Sequence, residues 1–186
     1  MKNSISIKKP TFILTIALTL AVGLILGIAM SAYINTKGVA TKQAQNKKGM
    51  EQAILSKIKE DPKNVPLLVQ LGHFYFDNNK YEDAIRAYKR ALFLKPGQPN
   101  VMTDLAIMYR RNNNKNKAIE VLDQVIKQFP THQPSRFNKG IILANDFKDD
   151  KGTVEVWESL LKINPKFKAP DGQHLTELIK HYKDGH

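Results

Sequence analysis

Histidines and aspartates in the C-terminal third are the residues whose types and spacing could bind a metal ion. His174 and His181 are seven residues apart, so they could share one helix face, and His186 follows. Metal ligands are usually spaced more closely, so we interpret these histidines as solvated side chains of a terminal helix. Three aspartates within residues 146–150 lack the alternate spacing, central Gly and late Glu of a calcium-binding loop. The sequence therefore predicts no metal site.

Catalytic motifs are also absent from the sequence. It contains no G-x-S-x-G, no phosphate-binding glycine loop, no H-E-x-x-H and no dinucleotide fingerprint. The cysteine count is zero, which excludes a disulfide scaffold, a thiolate metal site and a cysteine nucleophile. We therefore expect a protein that is not an enzyme and has neither a cofactor nor a small-molecule substrate. An enzyme whose site the sequence hides is the alternative.

The elements that must position any binding side chain repeat every 34 residues. Four residues recur with the same identity: Leu71, Tyr75, Ala84 and Pro96 are matched by Leu105, Tyr109, Ala118 and Pro130. A third copy is looser and fits only if one residue is inserted near Asp149. Its matching residues are Gly140, Leu143, Trp157, Leu160 and Pro165.

These residue types and this period resemble the tetratricopeptide repeat, whose pattern is W-x₂-L-G-x₂-Y…A-x₃-F…P. The first copy matches all eight signature positions, with Leu68, Leu71, Gly72, Tyr75, Ala84, Tyr88, Ala91 and Pro96. The resemblance implies an all-α fold, a solenoid of helix-turn-helix units with capping helices at both ends. Before the solenoid, the sequence predicts an N-terminal transmembrane helix. We divide the chain into a basic tail (1–11), an anchor (12–34), a polar tether (35–49), a leading cap (50–64), repeats 1 to 3 (65–98, 99–132 and a degenerate 133–167) and a terminal cap (168–186).

The anchor prediction rests on residues 12–34, a run of 23 residues without a charge. As a helix it would span roughly 34 Å, enough to cross a hydrocarbon core of about 30 Å. A cleaved signal peptide is the alternative, but its apolar region would be shorter. We expect a single-pass protein of the inner (cytoplasmic) membrane that contacts the lipid bilayer through this segment. A short basic N-tail usually stays cytoplasmic, which would place the repeats on the periplasmic side, although lysines on the two sides of the span nearly balance.

The positive charge is concentrated before the repeats. The net charge is +12, and residues 1–50 contain seven lysines and no acidic residue. The remaining basic residues are interleaved with acids, which makes a poor footprint for RNA or DNA. We therefore predict no nucleic-acid partner.

The resemblance implies that the first helix of each repeat lines a concave groove. Carried over position by position, the groove residues are Val69, His73, Phe76 and Asp77 in repeat 1, Thr103, Ile107, Arg110 and Arg111 in repeat 2, and Phe137, Ile141 and Asn145 in repeat 3. Apolar members would receive apolar side chains of a peptide. The two arginines could hold a carboxylate. The alternative is that the apolar residues pack internally and the arginines are solvated surface.

One variant of the family uses a clamp of Lys and Asn side chains to bind the C-terminal carboxylate of a chaperone. The corresponding positions here are occupied by Val69, His73, Asp104, Pro134 and Asn138. Most of the clamp is missing, which argues against a co-chaperone function.

The layout resembles bacterial membrane-anchored tetratricopeptide proteins, a group that includes assembly factors of the cytochrome c biogenesis type. This resemblance implies an adaptor that holds a peptide segment of a partner protein in the groove. The alternative is a structural subunit of a larger membrane complex, in which the transmembrane helix packs against partner subunits. Gly23 and Gly27 form a G-x-x-x-G pattern that would suit such packing.

Overall fold

The structure, a computed structural model, describes the backbone of residues 9–185. It describes the side chains of residue 26, residues 29–37, residue 39 and residues 41–185. The helices are α1 (Lys9–Glu60), α2 (Val65–Asp77), α3 (Tyr81–Leu94), α4 (Pro99–Arg111), α5 (Lys115–Gln128), α6 (Gln133–Ile142), a π-helix (Leu143–Phe147), α7 (Asp150–Ile163) and α8 (Leu175–Asp184). The described part of the chain contains no strand beyond one isolated bridge between Lys168 and His174. The prediction of an all-helical solenoid is confirmed.

The chain divides into two compact units, one ending at Gln52 and one beginning at Ala53. In the first unit, residues 35–49, which we expected to be a polar tether, are helical and belong to α1. Their described side chains are exposed. Most of the side chains of the predicted anchor, and all of residues 1–8, lie outside the described residues. Within the described residues, no helix combines the length and hydropathy that crossing a bilayer requires.

The second unit contains three helical hairpins, α2–α3, α4–α5 and α6–α7. Their first helices begin at residues 65, 99 and 133, so the 34-residue period of the sequence is the period of the structure. Prolines occupy the first turn of each of these helices, where the missing N–H costs nothing. Asn79 and Asn113 make the turns to α3 and α5 at φ 57° and 59°, a conformation that Asn tolerates better than most residues.

The two helices of each hairpin cross where a small residue faces a large one. Gly72 faces Tyr88, and Gly140 faces Trp157. A Cβ atom added to Gly72 would lie 2.6 Å from Cδ1 of Tyr88, well inside van der Waals contact. In repeat 2 the equivalent residues are Ala106 and Leu122, both fully buried. A smaller partner on the second helix thus leaves room for a methyl group on the first. Side-chain volume at this crossing is balanced within each repeat.

Repeat 3 contains the extra residue that the sequence comparison required. Helix α6 begins 34 residues after α4, but α7 begins 35 residues after α5. The π-helix lies between them, and a π-turn is how a helix commonly absorbs one inserted residue. The insertion, which we expected near Asp149, is therefore accommodated by residues 143–147. Lys148 then occupies the left-handed position at φ 56°, where the other repeats have Asn.

Apolar residues cover both ends of the repeat stack, as solenoids require. Ile54 and Ile58, from the end of α1, join the core of repeat 1. Leu175 and Ile179 of α8 pack in a cluster with Trp157 and Leu160. Both capping segments thus contribute buried side chains, while the exact domain boundaries drawn from the sequence stay predictions.

Candidate functional site

A small cavity lies between the first helices of repeats 1 and 2, and we call it the α2–α4 cavity. Its volume is about 100 Å³. It is lined by His73, Phe76, Tyr88, Asp104, Ile107 and Met108. Three of these residues, His73, Phe76 and Ile107, were predicted as groove residues from the repeat pattern. The structure brings them together although they come from different repeats.

Most of the cavity wall is apolar. Tyr88 and Met108 are each only 1% exposed. Ile107 is half-buried against the core of repeat 1, and Phe76 is 37% exposed. An apolar side chain entering this space would be removed from water on several sides, which is the arrangement typical of a ligand pocket.

The polar part of the cavity is a contact between α2 and α4. Nε2 of His73 lies 3.3 Å from Oδ2 of Asp104. The His73 ring meets the Tyr88 ring edge-on, with 5.7 Å between the ring centroids. Burial raises the pKa of Asp104, and this effect is opposed by the hydrogen bond and charge of His73 and by the charge of His132. The Asp104 carboxylate is therefore partly withdrawn from water.

Asp77 provides a second carboxylate near the same cavity. Burial raises the pKa of the Tyr88 hydroxyl, and the carboxylates of Asp104 and Asp77 raise it further. The hydroxyl of Tyr88 is thus in a field of negative charge that comes from both repeats. The groove prediction included Asp77 but missed Asp104, Tyr88 and Met108. Asp104 lies one helical turn before Ile107, so its position on the groove face of α4 was the available signal.

Arg110, predicted to hold a ligand carboxylate, binds a carboxylate of the protein itself. Its Nε donates a hydrogen bond to Oδ2 of Asp146 in the π-helix. Nζ of Lys115 lies 3.6 Å from Oδ1 of the same residue. The side chain of Asp146 is 16% exposed. The ion pair that links repeats 2 and 3 is therefore partly shielded from solvent. Arg111 is exposed.

The other predicted groove residues lie outside the α2–α4 cavity. Thr103 is 3% exposed, and its hydroxyl donates to the carbonyl of Pro99. Phe137 is half-buried, with its ring centroid 6.0 Å from that of Trp157 and 5.4 Å from that of Phe167. The remaining four residues are Val69 and Ile141, which are half-buried against core clusters, and Asp77 and Asn145, which are exposed.

A second, wider cavity of about 450 Å³ lies where α4 and α6 begin. His132 lines it, and its Nε2 is 2.8 Å from Oδ1 of Asn100. Burial lowers the pKa of His132, and the charge of Arg136 lowers it further against the opposing charge of Asp104. The described residues include no group of three His, Asp or Glu side chains placed to hold a metal ion.

The chain is similar to known proteins in sequence and in structure. A family model described as "Tetratricopeptide repeat" matches residues 75–136. The crystal structure of MamA has a TM-score of 0.59 at 23% identity, covering 68% of this chain and 73% of its own. The first tetratricopeptide domain of Spaghetti (RPAP3), bound to the HSP90 peptide SRMEEVD, has a TM-score of 0.57 at 18% identity. That match covers 67% of this chain and 94% of the domain.

Two curated relatives are protein O-mannosyl-transferases. Human TMTC3 is 29% identical over 112 residues, which cover 60% of this chain. The Drosophila melanogaster protein Tmtc3 is 25% identical over 108 residues, or 58% of this chain. In each case the match spans only 12% of the relative's length. Residues 75–136 thus match the tetratricopeptide-repeat family in sequence, and the hairpins α2–α7 have the tetratricopeptide-repeat fold.

Proposed function

We propose that this protein is an interaction adaptor that binds a peptide segment of a partner protein at the α2–α4 cavity. The observation that carries the proposal is the cavity itself, where His73, Phe76 and Ile107 surround a space large enough for one side chain. An engineered apolar cavity of about 150 Å³ holds one benzene molecule, so about 100 Å³ suits a single side chain. The solved neighbour that contains an HSP90 peptide supports peptide binding by this fold.

The proposal extends to the place where the adaptor works. The uncharged run of residues 12–34 would anchor it in the inner membrane and contact lipid. The basic tail before that run favours a single-pass arrangement with the repeats outside the cytoplasm. The layout favours a role in the assembly of an exported protein, such as a c-type cytochrome. These parts of the proposal are supported by the sequence alone.

Site-specific crosslinking in intact membranes tests the adaptor function. A photoreactive phenylalanine analogue is placed at Phe76, at the cavity, and in a matched protein at Phe93, which is 84% exposed on α3. We expect one defined protein to be captured from position 76 and not from position 93. A synthetic segment of that protein should then bind the purified full-length chain, and Phe76→Ser should abolish binding while Phe93→Ser does not.

Three results would contradict the proposal. Equal capture from both positions would remove the cavity from the interaction. Capture of a protein whose binding survives Phe76→Ser would place the interface elsewhere on the chain. Co-purification of stoichiometric subunits in mild detergent, with no dependence on Phe76, would favour a structural subunit of a membrane complex.

A further inference from the structure

We infer that the α2–α4 cavity selects a cationic side chain, lysine or arginine, from its peptide partner. This inference rests on the proposed function, since it names the chemistry of the peptide that the cavity accepts. It follows from the shape of the cavity and from the charged residues at its wall.

The apolar wall suits the stem of a long basic side chain. Phe76, Ile107 and Met108 present carbon surface to the space. Lysine and arginine bury their methylene stems along such surface while the charged head reaches a polar partner. A purely apolar side chain would use this wall and leave the Asp104 carboxylate without a partner from the ligand.

The polar partner in the wall is a carboxylate. His73 contacts Oδ2 of Asp104. The side chain of Asp104 is 37% exposed, so an ammonium or guanidinium group can approach it. Charge-assisted hydrogen bonds of this type are the stronger ones, and they are stronger still where water is partly excluded.

The cationic side chains near this part of α4 do not supply that partner. The residues that line the cavity include no lysine or arginine. Arg110, two residues after Met108, binds Asp146 of repeat 3 instead. Arg111 is exposed and does not line the cavity. Asp77 adds a second negative charge close to Tyr88. The lining therefore contains a carboxylate and no lysine or arginine, an arrangement that is complementary to a basic ligand and repels an acidic one.

Binding of three matched peptides to the full-length protein in mild detergent tests the inference. The peptides are acetylated and amidated heptamers that differ only at the centre, which is lysine, norleucine or glutamate. The readout is the NMR signal of methyl-¹³C methionine, because Met108 lines the cavity and Met102, half-buried in the same helix, does not. We expect the lysine peptide to shift the Met108 signal and leave the Met102 signal unchanged. The norleucine peptide should bind about tenfold more weakly, and the glutamate peptide more weakly still.

A pair of variants assigns any preference to the cavity. Asp104→Asn should reduce the preference for lysine over norleucine to about one. Asp123→Asn removes the same charge from an exposed position on α5 and should leave the preference intact. The circular dichroism and urea midpoint of both variants should match the wild type closely enough to exclude unfolding as the cause.

Equal binding of lysine and norleucine peptides, or tighter binding of the glutamate peptide, would overturn the charge selection while peptide binding itself stood. A Met108 shift that depends on protein concentration without any peptide would identify a second copy of the chain as the occupant and would also overturn it. If Phe76 captures a partner in membranes but none of the peptides shifts Met108, the cationic inference is wrong and the adaptor function is retained.

Discussion

Replacing Gly72 with alanine tests whether repeat 1 is stabilised by the volume balance at its helix crossing. The added methyl group would lie 2.6 Å from Cδ1 and 2.8 Å from Cζ of Tyr88. Tyr88 is 1% exposed, so its ring could yield to the methyl group only by displacing buried neighbours or by moving into the α2–α4 cavity that it lines. Overpacking of this kind typically costs about 1–3 kcal/mol. Alanine is also the better helix former, by about 1 kcal/mol, so the net loss of stability should be about 0–2 kcal/mol.

Repeat 2 supplies the compensating change, because it pairs Ala106 with Leu122 at the same crossing. Tyr88→Leu alone should destabilise the protein by about 2 kcal/mol, since it leaves space beside Gly72. In the double variant the methyl group that Gly72→Ala adds fills part of that space. The higher helix propensity of alanine then stabilises α2 without an opposing clash. We therefore expect the double variant to be more stable than the sum of the single changes by about 1–3 kcal/mol.

The assay is urea denaturation of the four proteins in the cycle, followed by far-ultraviolet circular dichroism. The slope of the unfolding free energy with urea should stay constant, so that midpoints can be compared. Ala106→Gly is the matched control at the equivalent position and should cost about 1 kcal/mol through helix propensity. Additivity within about 0.5 kcal/mol, or a stabilising Gly72→Ala, would refute the steric argument.

The remaining predictions concern three other sites. Phe137→Ser should lower the unfolding free energy by about 2–4 kcal/mol, because the ring packs between two aromatic neighbours. Phe76→Ser should lower it by about 1 kcal/mol or less, because that ring is partly exposed. Equal losses of unfolding free energy in urea denaturation would contradict the different packing of the two rings. Lys148→Asn should raise the unfolding free energy by about 0.5–1 kcal/mol, since Asn tolerates φ 56° better, while Lys151→Asn inside α7 should not. The folded protein binds a proton at His132 less readily than the unfolded chain, so the stability that the neutral ring contributes is present above pH 6.5 and is lost as the pH falls below it. His132→Gln should flatten this part of the profile of urea midpoint against pH, and unchanged slopes would contradict the assignment.

Much of the fold could be predicted because repeat architecture is local. A residue and its equivalent 34 positions later meet the same neighbours, so Leu71 and Leu105 have equal burial in the structure. The position of the inserted residue was harder to place. The sequence puts it near Asp149, but a π-turn absorbs it over residues 143–147 while Asp149 keeps its role as the cap of α7. Backbone hydrogen bonds, which the pattern of side chains does not record, decide that register.

The candidate site was predictable only in part. The repeat pattern places His73, Phe76 and Ile107 on the groove face, and the structure gathers them around one cavity. The same pattern also selects Phe137, which packs against Phe167, because a face that is open in one repeat is covered in another by the segment that follows α7. The position of a residue within a repeat predicts which face its side chain is on. Whether another segment covers that face depends on the whole stack.

The sequence by itself determined the period, the small residues at the helix crossings and hence the solenoid, because each of these depends on contacts within one repeat or between adjacent repeats. The charge of the cavity was decided only by the tertiary structure. Asp104 meets His73 across 31 residues, and Arg110 meets Asp146 across 36 residues through the π-helix. Electrostatic contacts of this kind depend on how helices of different repeats are aligned, and a single inserted residue changes that alignment. The sequence alone favoured Arg110 and Arg111 as a site for a carboxylate, whereas the folded chain pairs Arg110 internally, leaves Arg111 exposed and places a carboxylate at the cavity.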